Sequence, residues 1–329
     1  MRLKKLASWG LAAAAAVAML APLSAHAEYP TRAITLVAPY GAGGSADLAG
    51  RSLANVASRY IGEPVQVVNR TGAGGVTGSN HVSRSRADGY TLLVARVGSN
   101  AVTPGFDGTI PYKYDDFTFI GLLEENPYVI AVKADSPYQT LQDLADAIKA
   151  NPGTLTYSTS GPGTVLNMGP QLLFQELGLD DQAAIMIPYD GDGAATTALV
   201  GGHVDFMGNN LSPLMNELKS GRLRALSIST QQRYPELPDA PTATEAGYPA
   251  LHRIVGWTAL FGPPNLPSEV VSKWEEVLQK VSEDADWIAT TERMGAVPRV
   301  LSPAETKKFV DEQYQVYYTL AKRLGLRIE

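Results

Sequence analysis

The sequence predicts an α/β protein with mainly parallel sheets, divided into two domains that two crossing strands connect. Apolar runs of about five residues alternate with helical patterns along most of the chain, which is typical of helices that link parallel strands. Two longer extended segments, residues 119–131 and 256–261, interrupt this alternation. Each is placed to carry the chain from one domain to the other.

The two crossings set the predicted domain boundaries. Residues 28–123 and 256–329 form a discontinuous first domain, with residues 124–255 inserted as a continuous second domain. A mature chain of roughly 300 residues is longer than one hydrophobic core usually supports, which agrees with two domains. Two domains joined in this way can close like a hinge over a ligand.

The first 27 residues have the three parts of a secretory signal peptide. Three basic residues precede an apolar run at residues 6–20, and residues 25–27 read Ala-His-Ala, a small-x-small cleavage site. The apolar run is shorter than the roughly 20 residues that span a bilayer, which argues against a retained anchor. We therefore expect export to the periplasm and cleavage after Ala27.

Composition excludes several classes of function. The formal charge of the chain is −6, and removal of the three basic residues of the signal lowers it to −9, so a nucleic-acid partner is not expected. The absence of cysteine excludes disulfides and thiolate metal sites. His81, His203 and His252 do not have metal-ligand spacing. We predict neither a metal nor a cofactor.

The predicted strands of the first domain all end in polar loops, which should lie at one edge of the sheet. A strand at residues 34–40 runs into the glycine turn 41–47 and then a helix, whose first amides are free to donate to an anion. Strands at residues 65–68 and 91–95 also end in glycine-bearing loops. Ligands of open α/β sheets lie at the carboxyl ends of the strands, so these loops should converge on one crevice.

The second domain repeats this pattern. Thr140, with Asp143 three residues later, predicts a helix N-terminus. The predicted strands and the polar loops that follow them are 155–158 with 159–164, 185–188 with 189–193, and 204–207 with 208–210. Helices at residues 268–282, 284–294 and 302–324 then complete the chain.

A dinucleotide-binding enzyme is one alternative interpretation of the first turn. Gly41, Gly43 and Ala46 fit the pattern G-x-G-x-x-A after a strand. That pattern needs an acid for the ribose at the end of the second strand, where this chain has Asn69 and Arg70. An arginine could accept a 2′-phosphate, so the alternative stays open at this point.

Candidate chemical residues favour binding over catalysis. Arg96 enters the predicted crevice, and a guanidinium matches a carboxylate bidentately, although pairing with an acid of its own chain is the alternative. Asp47 fits a capping role within the turn. Ser160 lacks the glycine of a nucleophile elbow two residues before it and is interpreted as a hydroxyl donor. Tyr189 and Trp257 could stack on a planar ligand or simply pack.

Several segments together resemble the receptors of tripartite tricarboxylate transporters, also called the Bug family of periplasmic solute-binding proteins. The similar segments are residues 29–39, 43–47, 69–75, 88–93, 188–191, 201–205 and 221–226. The resemblance implies a two-domain flytrap that passes small carboxylated solutes to a membrane transporter with one large and one small subunit.

The resemblance also implies which residues bind the solute. By position, the residues implied to bind the carboxylate of the solute are Gly43, Gly44, Ser45 and Asp47 in one domain and Ser160, Gly163 and Thr164 in the other. The crevice loops add the remaining candidates, which are Tyr40, Arg96, Ser99, Tyr189, Asp190 and Asn209. Our hypothesis is that Arg96 forms an ion pair with a distal carboxylate of the ligand.

These observations predict a monomeric periplasmic solute-binding protein, without enzymatic activity, that takes a small organic acid. The charge of Arg96 and the planar surfaces of Tyr40, Tyr189 and Trp257 favour an aromatic or other dicarboxylate. Two alternatives are a ligand receptor for a periplasmic signalling pathway and an exported α/β enzyme. The enzyme is disfavoured because no pairing of a nucleophile with a base is evident.

Overall fold

The computed structural model describes residues 29–329, apart from the side chain of Leu324. The predicted signal peptide and its cleavage after Ala27 lie outside these residues. Within the described range, no helix is both long and apolar enough to cross a membrane.

Ten strands and ten α-helices make up the described chain. The strands are β1 (Ile34–Ala38), β2 (Val65–Asn69), β3 (Thr91–Arg96), β4 (Thr118–Lys133), β5 (Thr156–Thr159), β6 (Ile185–Pro188), β7 (Phe206–Asn210), β8 (Leu223–Ile228), β9 (Val255–Gly262) and β10 (Val297–Leu301). The helices are α1 (Ser45–Ile61), α2 (Val76–Ser83), α3 (Thr103–Phe106), α4 (Leu141–Ala150), α5 (Val165–Glu176), α6 (Asp192–Val200), α7 (Met215–Lys219), α8 (Ser268–Glu283), α9 (Ala285–Arg293) and α10 (Pro303–Leu324). Short 3₁₀ turns occur at Ala73–Gly75, Ser212–Leu214 and Pro249–Arg253, and a π turn at Gly98–Val102.

The strands follow the order β2-β1-β3-β9-β4-β7-β5-β6, with β8 and β10 also paired to β4. Strand β1 is parallel to β2 and β3, and β5 is parallel to β6 and β7. The crossing strand β4 leads into the second domain and β9 leads back, so they pair in opposite directions. The predicted α/β fold with two crossing strands is confirmed, and the crossings add antiparallel pairs to the parallel core of each domain.

Strand β4 belongs to both sheets. Its first part pairs with β9 as far as Pro127, and from Tyr128 onward it pairs with β7 and β8. This change of partner comes shortly after the boundary that the sequence predicts at residue 123. Around Pro127 and Tyr128, β4 thus passes from one sheet to the other.

Helix boundaries follow local capping chemistry. The Thr140 hydroxyl accepts from the Asp143 amide and the Asp143 carboxylate accepts from the Thr140 amide, which confirms the predicted capping box of α4. Ser302 and Glu305 form a second capping box at α10. Helices α1, α8 and α9 cover the first sheet, and the large side chains there are fully or almost fully buried, namely Leu53, Trp274 and Trp287.

Candidate functional site

Glycine-bearing loops of both domains surround a cavity of about 970 Å³. Residues 71–76 line it from the first domain, and residues 160–163 and 188–191 line it from the second. The expected convergence of loops on one crevice is seen for the loops after β2, β5 and β6, whereas residues 41–47, 96–100 and 208–210 do not line the cavity. The cavity lies between these two groups of loops.

The charges on the cavity wall are all negative. Among the described residues that line it, Asp107, Asp181 and Asp190 are acidic, and none is lysine, arginine or histidine. An anionic group bound here must therefore interact with backbone amides, hydroxyls and side-chain amides. Such groups stabilise anions well when they lie at helix N-termini.

Asp47 holds the first glycine turn in place. One carboxylate oxygen accepts from the Gly43 amide at 3.0 Å, and the other accepts from Arg51 Nε at 2.9 Å and Asn69 Nδ2 at 3.0 Å. Burial acts to raise the pKa of Asp47, but the hydrogen bonds from Arg51, Gly43 and Asn69 outweigh it and lower the pKa. The predicted capping role agrees with this geometry, which leaves no carboxylate oxygen of Asp47 directed at the cavity.

The first turn contacts the second domain directly. A Cβ added to Gly41 would lie 2.6 Å from the Asp190 carbonyl oxygen, and one added to Gly193 would lie 2.9 Å from the Ala42 carbonyl oxygen. At Ser45, the amide at 3.2 Å and the hydroxyl at 2.7 Å both donate to one oxygen of Asp192. Gly44 and Ser45 are thus brought to the domain boundary, where they face Asp192.

The loop after β5 presents an unpartnered hydroxyl. Ser160 is 7% exposed and lines the cavity, and its Oγ has no hydrogen-bond partner among residues 29–329. The loop is held from behind, because Asn167 Nδ2 donates to the Pro162 carbonyl at 2.8 Å and Thr164 Oγ1 donates to the Gly161 carbonyl at 2.8 Å. A buried donor without a partner needs an explanation, and at Ser160, unlike at other such atoms as Arg96 Nη2, the residue lies on the cavity wall.

The loop after β5 also contacts the first domain. Thr103 Oγ1 donates to the Gly163 carbonyl at 2.5 Å. A Cβ added to Gly74 would lie 3.3 Å from Thr164 Cγ2. Gly163 and Thr164 therefore touch the first domain, and helix α5 begins directly beside this contact.

Tyr40 connects two loops of the first domain. Its side chain lines the cavity and its hydroxyl donates to the Gly74 carbonyl at 2.8 Å. Burial, and secondarily the Asp192 carboxylate, raise the pKa of Tyr40 above its ordinary value, so the phenol stays protonated and remains a donor. Tyr189 and Asp190 also line the cavity, in agreement with their selection from the sequence.

Arg96 lies away from the cavity wall. Its side chain is 3% exposed, its Nη1 lies 3.8 Å from Glu124 Oε1, and the same nitrogen donates to Thr258 Oγ1. Thr258 in turn donates to Glu124 at 3.0 Å. Burial raises the pKa of Glu124, and the Arg96 charge opposes that rise. Because Glu124 supplies the counter-charge, this placement argues against the predicted ion pair between Arg96 and a solute.

Three other candidates have structural partners. The Ser99 hydroxyl donates to Asn100 Oδ1 at 2.8 Å, and Asn209 Nδ2 donates to Thr196 Oγ1 at 3.1 Å. Both residues are fully buried and neither lines the cavity. Trp257 is fully buried as well and packs against Phe261, so it does not offer a stacking surface.

The sequence named no binding residue in three parts of the boundary, although it predicted that the loop after the second strand lies at the crevice. Residues 71–76 lie on the cavity wall, and their repeated glycines were visible as a second turn. Thr103 follows a π turn that no local pattern indicated. Asp192 is the first residue of α6, and its position directly after Gly191 was the available signal.

The sequence matches a family model over most of the chain. The family model of the tripartite tricarboxylate transporter family receptor, TctC, matches residues 49–326. The chain belongs to this family. Protein BugT of Bordetella pertussis, a curated relative, is 31% identical over 318 residues, which are 96% of each chain.

Solved structures agree with this assignment. Periplasmic binding protein BugD is 30% identical, with a TM-score of 0.85, over 92% of this chain and all of the other. MatC of Rhodopseudomonas palustris, solved with bound malate, is 28% identical, with a TM-score of 0.84, over 89% of this chain and all of the other. An R. palustris protein solved with adipate is 26% identical, with a TM-score of 0.84, over 90% of this chain and 98% of the other.

Family membership settles the class of the protein. It is a periplasmic solute receptor of the two-domain binding-protein fold, and the family is not one of enzymes. The interpretation of the first turn as a dinucleotide site is therefore withdrawn, as is the alternative of an exported enzyme. Two of these neighbouring structures contain a small carboxylate, malate in MatC and adipate in the other R. palustris protein.

Proposed function

We propose that this TctC-family protein captures a small organic carboxylate in the cleft between its domains and delivers it to a membrane transporter of the tripartite tricarboxylate type. The observation that carries this proposal is the Ser160 hydroxyl, which is buried, unpartnered within the described residues and placed on the cavity wall beside the N-terminus of α5. The site uses a hydroxyl and free helix amides where a basic side chain would otherwise be needed.

The carboxylate fits the second-domain loop for electrostatic reasons. Helix α5 begins at Val165. The side chain of its N-cap residue, Thr164, does not accept a capping hydrogen bond from the backbone amides at the start of the helix. The partial positive charge at this helix end favours an anion by about 0.3–1 kcal/mol, and more where the site is partly buried. Ser160 adds a hydrogen bond to the charged group, typically about 1.5–3 kcal/mol.

The residues on the cavity wall favour one class of solute. Tyr40 and Tyr189 line it, which supports the aromatic part of the preference for an aromatic or other dicarboxylate. The dicarboxylate part relied on Arg96, whose charge is paired with Glu124. A carboxylate on an aromatic or largely apolar body therefore fits the wall best.

Closure and delivery complete the proposal. Residues 28–123 with 256–329 act as one domain and residues 124–255 as the other, and they move about β4 and β9. The receptor acts as a monomer and docks on one large and one small membrane subunit. Uptake of the identified solute should require both the receptor and these subunits. If uptake is unchanged without the receptor while a transcriptional response is lost, the signalling alternative holds instead.

A melting-temperature screen of the purified protein tests the capture of a carboxylate. The panel contains monocarboxylates, dicarboxylates and aromatic carboxylates, with sulfate as an inorganic control. A solute at 100 times its Kd stabilises the protein by about 2.7 kcal/mol. For about 300 residues, with an unfolding entropy of about 2.1 cal/mol/K per residue, that corresponds to a rise of roughly 4 °C. We expect this rise for a subset of the carboxylates. A panel without any stabilising carboxylate would contradict the proposal.

A further inference from the structure

Asp192 occupies a position that the first glycine turn offers to an anion. Its Oδ2 accepts from the Ser45 amide at 3.2 Å and from the Ser45 hydroxyl at 2.7 Å. Ser45 is the first residue of α1 and Gly44 is its N-cap. Asp192 is 5% exposed and Ser45 is 1% exposed, so these bonds are protected from water. The carboxylate therefore fills the N-terminal end of α1 from across the domain boundary.

Two helix ends stabilise this carboxylate together. Asp192 is also the first residue of α6, so the positive ends of α1 and α6 both lie next to it. No salt bridge joins it to a lysine, arginine or histidine within residues 29–329. The contact is therefore an anion held by a hydroxyl and backbone dipoles, which is the same chemistry that a carboxylated solute would use.

Because Asp192 fills the position at the N-terminus of α1, the donors there are not free for a solute. The amide and hydroxyl of Ser45, which the sequence assigned to solute binding, already have a partner in Asp192. The neighbouring residues Asp190 and Gly191 line the cavity and place a further acid on the same side. A second carboxylate on the solute would meet the acid Asp190 on the wall, while Ser45 and Asp192, which do not line the cavity, are already bonded to each other.

We propose that Asp192 is a built-in anion that determines the selectivity of this receptor. It takes the place of one solute carboxylate at α1, so the bound solute presents a single carboxylate to the Ser160 loop. The opposite end of the solute is neutral or cationic. This inference rests on the proposed function, because it names the class of solute that the same cleft binds.

Chemical rescue tests the built-in anion without any solute. Replacement Asp192→Ala removes the carboxylate and leaves the donors of Ser45 unpaired, so the melting temperature should fall. Formate added at tens of millimolar should restore part of that loss and should raise the melting temperature of Asp192→Ala by more than it raises that of the wild-type protein. Asp190→Ala, at an exposed acid two residues earlier, is the matched control and should show no rescue. Equal responses of all three proteins to formate would overturn the assignment.

A solute series of constant length tests selectivity. The probes are hexanoate, adipate and 6-aminohexanoate, which differ only at the end away from the shared carboxylate. Wild-type protein should bind adipate at least tenfold more weakly than the better of the other two. Asp192→Ala, and Asp192→Asn in case the alanine variant folds poorly, should shift the ratio of adipate to hexanoate affinity at least tenfold toward adipate. An unchanged ratio in both variants would overturn the selectivity claim.

The two experiments separate the two proposals. Formate rescue of Asp192→Ala in a protein that no carboxylate stabilises would support the built-in anion and contradict carboxylate capture. Carboxylate binding by the wild-type protein, without formate rescue of Asp192→Ala, would support carboxylate capture and contradict the built-in anion.

Discussion

Replacing Ser160 by alanine should weaken carboxylate binding by about 10- to 100-fold while leaving the stability of the unliganded protein almost unchanged. The hydroxyl is buried and has no partner within residues 29–329, so its removal breaks no hydrogen bond of the free protein. In the complex it would donate to a charged acceptor. Such a bond contributes about 1.5–3 kcal/mol, which corresponds to that loss of affinity.

Ser158 provides a matched control two residues away. It is fully buried, and its hydroxyl donates to the Ala195 carbonyl at 3.0 Å within the second domain. Ser158→Ala should therefore lower the free energy of unfolding by about 1 kcal/mol and change the affinity little. Calorimetric titration and denaturant unfolding of both variants measure the two quantities. Ser160 is not a ligand donor if its variant loses stability and retains full affinity.

Replacing Glu124 by glutamine should destabilise the protein by about 3 kcal/mol, with a fall in melting temperature of roughly 5 °C. The change leaves the Arg96 guanidinium buried without a counter-charge. Arginine cannot lose its proton to relieve that cost. Urea unfolding of the unliganded variant measures the effect. A loss below about 1 kcal/mol would show that Glu124 does not neutralise Arg96.

The reverse replacement, Arg96→Met, should cost less and should depend on pH. Burial already raises the pKa of Glu124 above its ordinary value, and loss of the Arg96 charge raises it further. A carboxyl with a raised folded-state pKa stabilises the fold most below its unfolded pKa, and that stability is lost as pH rises through the folded value. The variant should therefore be more stable near pH 5 than near pH 8, and a flat profile would contradict this.

The predicted fold agrees with the structure where local chemistry determines the elements. The capping box of Thr140 and Asp143 begins α4, and the pattern of Leu53, Val56 and Ala57 gives α1 its buried face. Strand β10 was missed because Val297–Leu301 is short, contains a proline and pairs irregularly with β4. Its formation depends on a partner far away in the sequence, which no local pattern records.

The site was predictable at the level of loops and less so at the level of side chains. Strand ends located the loops of Tyr40, Ser160 and Tyr189, because parallel strands direct their carboxyl ends to one edge. The partner of Arg96 was not predictable, since Glu124 lies on a crossing strand whose register depends on β9. Asp192 was missed for the same reason, because its contact with Ser45 spans 147 positions of sequence.

The most direct test of the central claim compares one carboxylate with its own primary amide. The claim is that the cleft recognises a carboxylate through Ser160 and the amides of α5, in a cavity without a basic side chain. The carboxylate and its amide have nearly the same shape. The amide lacks the negative charge, and its nitrogen adds hydrogen-bond donors. Calorimetric titration with a carboxylate that stabilises the protein should give an affinity at least 100-fold higher than titration with the amide. Affinities within a factor of three would contradict the account.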